Sequence, residues 1–193
     1  MLRVKETAMI RKATIEELDA VERLYNELHD AKEAGLIPVI WRRGVYPSRE
    51  TAREALARGD LYVLEESGRI IGSAVINQIQ DEVYAGAPWQ FDEPDERVCV
   101  LHTLMVSPSE FGKGYARTFL DFYEAWAREH GCPELRIDTN DRNLPAQAMY
   151  LRHGYRIIGV VPAKVFNGIR DIRLVLMEKH LELENRCIKR TDP

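Results

Sequence analysis

Hydrophobic residues recur at helical spacing in two long segments of the chain. In the first, the apolar positions are Leu18, Val21, Leu24, Tyr25 and Leu28. A capping box formed by Thr14 and Glu17 precedes them and Gly35 follows, which predicts an amphipathic helix over about 14–33. In the second, the apolar positions are Ala116, Phe119, Leu120, Tyr123 and Ala127. They predict a helix over 112–130, which ends at Gly131.

Shorter patterns predict the remaining elements. Two further helices are expected at 49–58, between Ser48 and Gly59, and at 144–153. Runs rich in β-branched and apolar residues predict strands at 9–12, 61–66, 69–78, 98–106, 134–139, 155–161 and 172–179. Ser67-Gly68 joins the second and third strands as a hairpin turn.

The resulting element order is β-α-α-β-β-β-α-β-α-β-β, which predicts one α/β domain over 9–180. Residues 1–8 are interpreted as a flexible extension and 181–193 as a polar tail. Between the elements, we expect an ordered loop at 36–47, a long irregular stretch at 79–96 and a turn at 162–170.

Composition excludes several classes of protein. A chain of 193 residues with 45% hydrophobic and 30% charged residues suits one globular domain rather than a disordered or collagen-like chain. The net charge is −4, so no basic surplus favours nucleic-acid binding. Cys99, Cys132 and Cys187 lack metal-ligand spacing, and we expect neither a metal nor a disulfide framework. With no long apolar stretch and no signal peptide, we expect a cytoplasmic protein without membrane contact.

The segment from Val106 to Ala116 has features of an anion site. A predicted buried strand runs into Ser107-Pro108, then into Gly112 and Gly114, and then into the 112–130 helix. Glycines allow the backbone to approach a ligand closely, and the first amides of a helix have no intrahelical partners. The alternative is a tight strand–helix connection that binds nothing. Two common phosphate loops do not fit, because Lys113 lies between the glycines and Arg117 occupies the third glycine position of a dinucleotide fingerprint.

A second motif lies downstream, between Asn143 and Tyr155. Asn143, Ala146, Tyr150, Gly154 and Tyr155 match the pattern N-x-x-A-x-x-[LM]-Y-x-x-x-G-[FY] without a gap. Together with Gly-x-Gly-x-Ala upstream, this chain resembles the GCN5-related N-acetyltransferase (GNAT) superfamily from about residue 9 to 179. One position departs from the family pattern, because Phe111 stands where Gln or Arg is usual, which puts a charged or polar contact in doubt.

The resemblance implies a mixed, mostly antiparallel central sheet with a splayed pair of parallel strands, flanked by helices. It also implies acetyl-CoA between strands 98–106 and 134–140, without a metal. The pantetheine arm would pair with the backbone of Leu104, Met105 and Val106. The pyrophosphate would lie on residues 111–117, namely Phe111, Gly112, Lys113, Gly114, Tyr115, Ala116 and Arg117. Asn143, Ala146 and Tyr150 would complete the cofactor site.

Two residues are candidates for catalysis under this resemblance. Tyr150 matches the family tyrosine that can protonate the leaving thiolate, although it could instead pack its ring beside the cofactor. His102 is the candidate base, and the alternative is a hydrogen-bonded core histidine. We expect His153 to face solvent and His130 to place a favourable charge at a helix C-terminus.

The acceptor site is expected from the 36–47, 79–96 and 162–170 loops. Their candidate aromatic residues are Trp41, Tyr46, Tyr84 and Trp89, of which Trp41 and Tyr46 could equally be packing residues that fix an ordered loop. The sequence thus predicts an enzyme that moves acetyl from acetyl-CoA to an amine of a small molecule or peptide. An idle acyl-CoA-binding module of the same fold is the alternative. A protein lysine as acceptor and a homodimer are both compatible with the sequence.

Overall fold

The computed structural model describes residues 8–91 and 93–183. The predicted extension, apart from its last residue, and the tail beyond 183 lie outside the described residues. Leu181, the first residue of the predicted tail, is buried, and its amide donates to the Pro133 carbonyl at 2.7 Å.

The predicted order of helices and strands is confirmed. The helices are α1 Leu18–Glu33, α2 Arg49–Arg58, α3 Tyr115–Glu129 and α4 Leu144–Arg152. The strands are β1 Met9–Lys12, β2 Leu61–Glu66, β3 Arg69–Asn77, β4 Val98–Val106, β5 Glu134–Asn140, β6 Arg156–Phe166 and β7 Ile169–His180. They form one sheet in the order β1-β2-β3-β4-β5-β7-β6, in which only β4 and β5 are parallel neighbours among the described residues.

The predicted turn at 162–170 is wrong for most of its length. Strand β6 continues to Phe166 and β7 begins at Ile169, so the turn consists of Asn167 and Gly168. Both residues have positive φ, 49° and 72°, as a two-residue hairpin with the twist of its flanking strands requires. Ladder pairing on both sides of Asn-Gly therefore extends the hairpin beyond the apolar runs from which the strand ends were predicted.

Alternating side chains divide the core between the two faces of the sheet. Helices α3 and α4 cover one face, where Phe119 and Tyr123 pack with Leu135 and Ile137 of β5. Helices α1 and α2 cover part of the other face. The long 79–96 loop covers the rest of that face, and its Tyr84 packs against residues of β4 and β7.

The parallel strands β4 and β5 separate halfway along their length. Their pairing runs only from Val98 opposite Glu134 to Leu101 opposite Ile137. On the other side of β4, the pairing with β3 is interrupted by a bulge, because Ser73 faces Met105 whereas Val75 faces His102. A bulge bends its strand and increases the local twist, and Thr103 within it has a φ of 53°. This bend opens a cleft between the ends of β4 and β5.

Candidate active site

The cleft between β4 and β5 continues into a cavity of about 970 Å³. Its walls come from the end of β4, the first turn of α3, the inner side of α4, the 36–47 loop and the tip of the β6–β7 hairpin. Most of the residues that the sequence predicted for the cofactor line this one cavity: Leu104, Met105, Val106, Phe111, Gly112, Gly114, Tyr115, Ala116, Arg117, Asn143, Ala146 and Tyr150. Lys113 is not among the lining residues, and its ammonium pairs with Glu110 at 2.6 Å.

The N-terminus of α3 presents free backbone amides to the cavity. The first helical hydrogen bond runs from the Thr118 amide to the Gly114 carbonyl at 3.1 Å, so the amides of residues 115–117 precede it. Gly112 and Gly114 have φ values of 80° and 90°, which favour glycine. The helix dipole and the Arg117 side chain add positive potential at this end. The arrangement suits a phosphate group.

Tyr150 and Asn143 hold different positions on α4. Tyr150 is 6% exposed and lines the cavity, and its pKa is raised above the ordinary value by burial and by the negative charge of Asp138. The phenol therefore keeps its proton at neutral pH. Asn143 caps the helix, because its Oδ1 accepts from the Ala146 amide at 3.4 Å and its Nδ2 donates to Thr139 at 3.2 Å.

His102 lines the cavity, but both of its ring nitrogens face polar side chains. Nε2 lies 3.2 Å from Asn77 Oδ1, and Nδ1 lies 3.3 Å from Asp81 Oδ2. Asn77 is oriented by its other contacts, since its Oδ1 accepts from the Ile79 amide and its Nδ2 donates to Asp60. Nε2 therefore carries a proton. His102 is therefore hydrogen-bonded at the wall of the cavity rather than in the core.

The four aromatic residues predicted for the acceptor site separate into two pairs. Trp41 and Tyr46 line the cavity. Tyr84 and Trp89 do not, because these residues of the 79–96 loop pack against the sheet. The Tyr84 hydroxyl donates to Asp138 Oδ2 at 2.8 Å, so Tyr84 reaches the cavity only through that carboxylate.

Asp138 is a cavity residue that the sequence interpretation missed. It follows Ile137, the last residue of β5 that pairs with β4, and its side chain points to the opposite face of the sheet. Its pKa is raised to about 6, chiefly by burial and also by the charge of Asp81, while the Tyr84 hydroxyl and His102 oppose the shift. An acidic residue directly after the apolar Ile137 of a predicted strand was the available signal.

The expectation that His153 faces solvent is wrong. Its side chain is 12% exposed, lines the cavity and lies 3.0 Å from Glu124 Oε1 of α3. The reason is that His153, directly after α4, reaches Asp121 and Glu124 of α3. His130 follows the last residue of α3, and its Nδ1 lies 2.7 Å from the Trp126 carbonyl.

The described residues contain no helix long and apolar enough to cross a membrane. Nor do they bring together three or more His, Cys, Asp or Glu side chains as a cation site would require.

Comparison with known proteins identifies the family. The sequence model described as "Acetyltransferase (GNAT) family" matches residues 21–155, and the chain belongs to that family. Streptothricin acetyltransferase from Escherichia coli is 23% identical over 96 residues, which cover 50% of this chain and 52% of that protein. This chain thus matches about half the length of that curated relative.

Solved structures share the fold over nearly the whole chain. A ribosomal-protein-alanine N-acetyltransferase from Brucella melitensis is 25% identical, with a TM-score of 0.65, and the alignment covers 90% of this chain and 99% of that one. A protein from Salmonella typhimurium, solved with its cofactor acetyl-CoA, is 21% identical, with a TM-score of 0.63 and coverage of 91% and 95%.

Proposed function

We propose that this protein transfers the acetyl group of acetyl-CoA to an amine. The observation that carries the proposal is the single cavity that joins the free edge of β4, the open amides at the start of α3 and the Tyr150 hydroxyl. Family membership and the acetyl-CoA in the Salmonella typhimurium structure support it.

The cavity fits acetyl-CoA in shape and in charge. Beyond Leu101, β4 has no strand partner on its β5 side among the described residues, so the backbone of Leu104, Met105 and Val106 can pair with the amides of the pantetheine arm. The pyrophosphate would lie on the amides of residues 111–117, with Arg117 beside it. Asn143 would contact the cofactor and would also fix the start of α4. Phe111 would supply apolar contact at a position where relatives carry a charge or an amide.

The chemistry needs an acid for the departing thiolate. Acetyl-CoA supplies a thioester carbonyl that an unprotonated amine can attack. An amide of the Leu104–Val106 segment would stabilise the developing negative charge on the carbonyl oxygen. Tyr150 would donate its hydroxyl proton to the sulfur. Because burial raises the pKa of the phenol, it would stay protonated until the thiolate forms in the same desolvated cavity.

The incoming ammonium must also lose a proton. His102 was the candidate base from the sequence, but both of its ring nitrogens already face protein side chains. Asp138 lines the same cavity and has a pKa of about 6, so we propose that its carboxylate receives the proton.

An assay of CoA release in the presence of an amine panel tests the proposal. We expect release that depends on the amine, and a fall of about 10²–10⁴-fold in kcat for Tyr150→Phe, with acetyl-CoA binding nearly unchanged. Tyr155→Phe is the matched control, because that buried hydroxyl has no hydrogen-bond partner among the described residues and does not line the cavity. Acetyl-CoA binding without amine-dependent release would instead establish the idle module.

A further inference from the structure

Residues 36–47, which we call the strap, cross the cavity at the end opposite the α3 amides. The strap is tied to three parts of the sheet. The Tyr46 hydroxyl hydrogen-bonds Thr103 Oγ1 on β4, and the Asn140 side chain of β5 donates to the Pro38 carbonyl at 3.5 Å. Val45 lies so close to Gly168 that a Cβ built there would be 2.6 Å from Val45 Cγ1. The strap therefore reaches from β4 to the tip of the β6–β7 hairpin.

The strap is also fixed to the helix that precedes it. The Arg43 guanidinium contacts Asp30 at 2.5 Å and Glu33 at 3.0 Å, both on α1. His29 Nε2 lies 3.0 Å from the Pro47 carbonyl. With anchors at both ends, the strap forms one fixed wall of the cavity that Asp138 also lines.

The strap end of the cavity has apolar walls and one acidic side chain, that of Asp138. The apolar lining residues at this end are Ile40, Trp41, Phe166, Ile169 and Leu174. Asp138 lies on the floor, fixed by the Tyr84 hydroxyl. Arg117 and Arg152 line the opposite part of the cavity, on α3 and α4, so the lining residues described at the strap end offer no Arg or Lys.

We propose that the acceptor is a small primary amine with an apolar or aromatic body, whose ammonium binds Asp138 while its body packs against Trp41 beneath the strap. This inference rests on the proposed acetyl transfer and narrows its substrate class. A buried carboxylate pairs well with one ammonium, whereas a carboxylate on the acceptor would be desolvated without a cationic partner.

We expect the same geometry to disfavour polypeptide acceptors. A peptide that offers its N-terminus or a lysine needs an open groove for the chain that follows, and the contact between Val45 and Gly168 joins the strap to the β6–β7 hairpin on one side of the cavity. The chain would thus differ in acceptor from the Brucella melitensis protein, whose name specifies a ribosomal protein.

The test measures CoA release with three matched acceptors: 2-phenylethylamine, L-phenylalanine and a hexapeptide with a free N-terminus. We expect 2-phenylethylamine to react with a kcat/KM at least about tenfold above either of the others. Trp41→Ala should raise the KM for 2-phenylethylamine about tenfold, the loss expected for one buried aromatic contact, and leave the KM for acetyl-CoA unchanged. Arg42→Ala is the control, since that exposed side chain belongs to the strap but does not line the cavity.

Two results would overturn the inference in different ways. Equal or faster reaction with the peptide or with L-phenylalanine would refute the substrate class and leave acetyl transfer standing. Calorimetric binding of acetyl-CoA without CoA release for any acceptor would refute acetyl transfer itself, and the substrate class with it.

Discussion

Burial raises the pKa of both Tyr150 and Asp138, with opposite consequences for their charge. The phenol, whose ordinary pKa is already near 10, becomes harder to ionise and stays neutral. The carboxyl group moves from an ordinary pKa of 3.8 to about 6, into the range where it can exchange a proton near neutral pH. One desolvated cavity thereby holds both a proton donor and a proton acceptor.

The raised pKa of Asp138 has a cost in stability that depends on pH. Because the folded state holds this proton more tightly than the unfolded state, stability falls as pH rises from about 4 to 6 and does not recover above it. Asp138→Asn removes the ionisation and keeps an oxygen for the Tyr84 hydroxyl. We expect it to stabilise the free protein by about 2–3 kcal/mol at pH 8, from 1.36 kcal/mol per pKa unit, and hardly at pH 4.

Urea unfolding of both proteins at pH 4 and pH 8 measures this difference. Asp171→Asn is the control, because Asp171 is exposed at the start of β7. An equal effect of Asp138→Asn at the two pH values would mean that the carboxyl group is not desolvated as described.

Strand β5 was predicted from the sequence, but the burial of its polar face was not. The alternation of Glu134, Arg136 and Asp138 with apolar residues predicts a strand with one polar face. Such a face is usually solvated, but here the 79–96 loop covers it, and Glu134 and Arg136 are 0% and 7% exposed. Trp89 of that loop stacks on the Arg136 guanidinium at 4.1 Å.

The two glycines that flank α3 allow ligand binding and protein stability to be tested separately. Gly114 at the N-terminus and Gly131 after the C-terminus both have positive φ, 90° and 71°, and a Cβ at either would meet no atom within 4 Å. Alanine at each position therefore suffers strain of about 1–2 kcal/mol without a steric clash.

We expect Gly114→Ala to weaken acetyl-CoA binding about tenfold, because the strained turn displaces the amides of residues 115–117. Gly131→Ala should lower the midpoint of thermal unfolding, because the same strain of about 1–2 kcal/mol destabilises the folded protein. It should leave acetyl-CoA binding unchanged. Calorimetric titration and thermal unfolding of the two variants provide the comparison. Similar losses of affinity in both would contradict an anion site at the N-terminus of α3.

At the scale of the whole molecule, sequence patterns predicted the order of the elements and most of the residues that line one end of the cavity. These predictions rest on local signals that can be recognised without knowledge of the fold: helical periodicity, the Gly-x-Gly-x-Ala segment and the Asn143–Tyr155 motif. The acceptor end was not predictable in the same way. Tyr84 and Asp138 are 54 residues apart in the chain, and only the sheet brings them together.

The whole molecule also carries an uneven distribution of charge around its cavity. The net charge is −4, yet Arg117, Arg152 and the α3 amides surround one end, and Asp138 lies at the other. This polarity suits a polyanionic cofactor and a cationic acceptor that meet in the middle. The homodimer suggested by the sequence stays a prediction.

Titration of the CoA-free protein with acetyl-CoA in a calorimeter tests the central claim most directly. The arrangement of open amides beside Arg117 predicts saturable binding of one acetyl-CoA per chain, weakened by added salt. A folded protein that releases no heat of binding at millimolar acetyl-CoA, and shows no rise in thermal stability with it, would contradict the account.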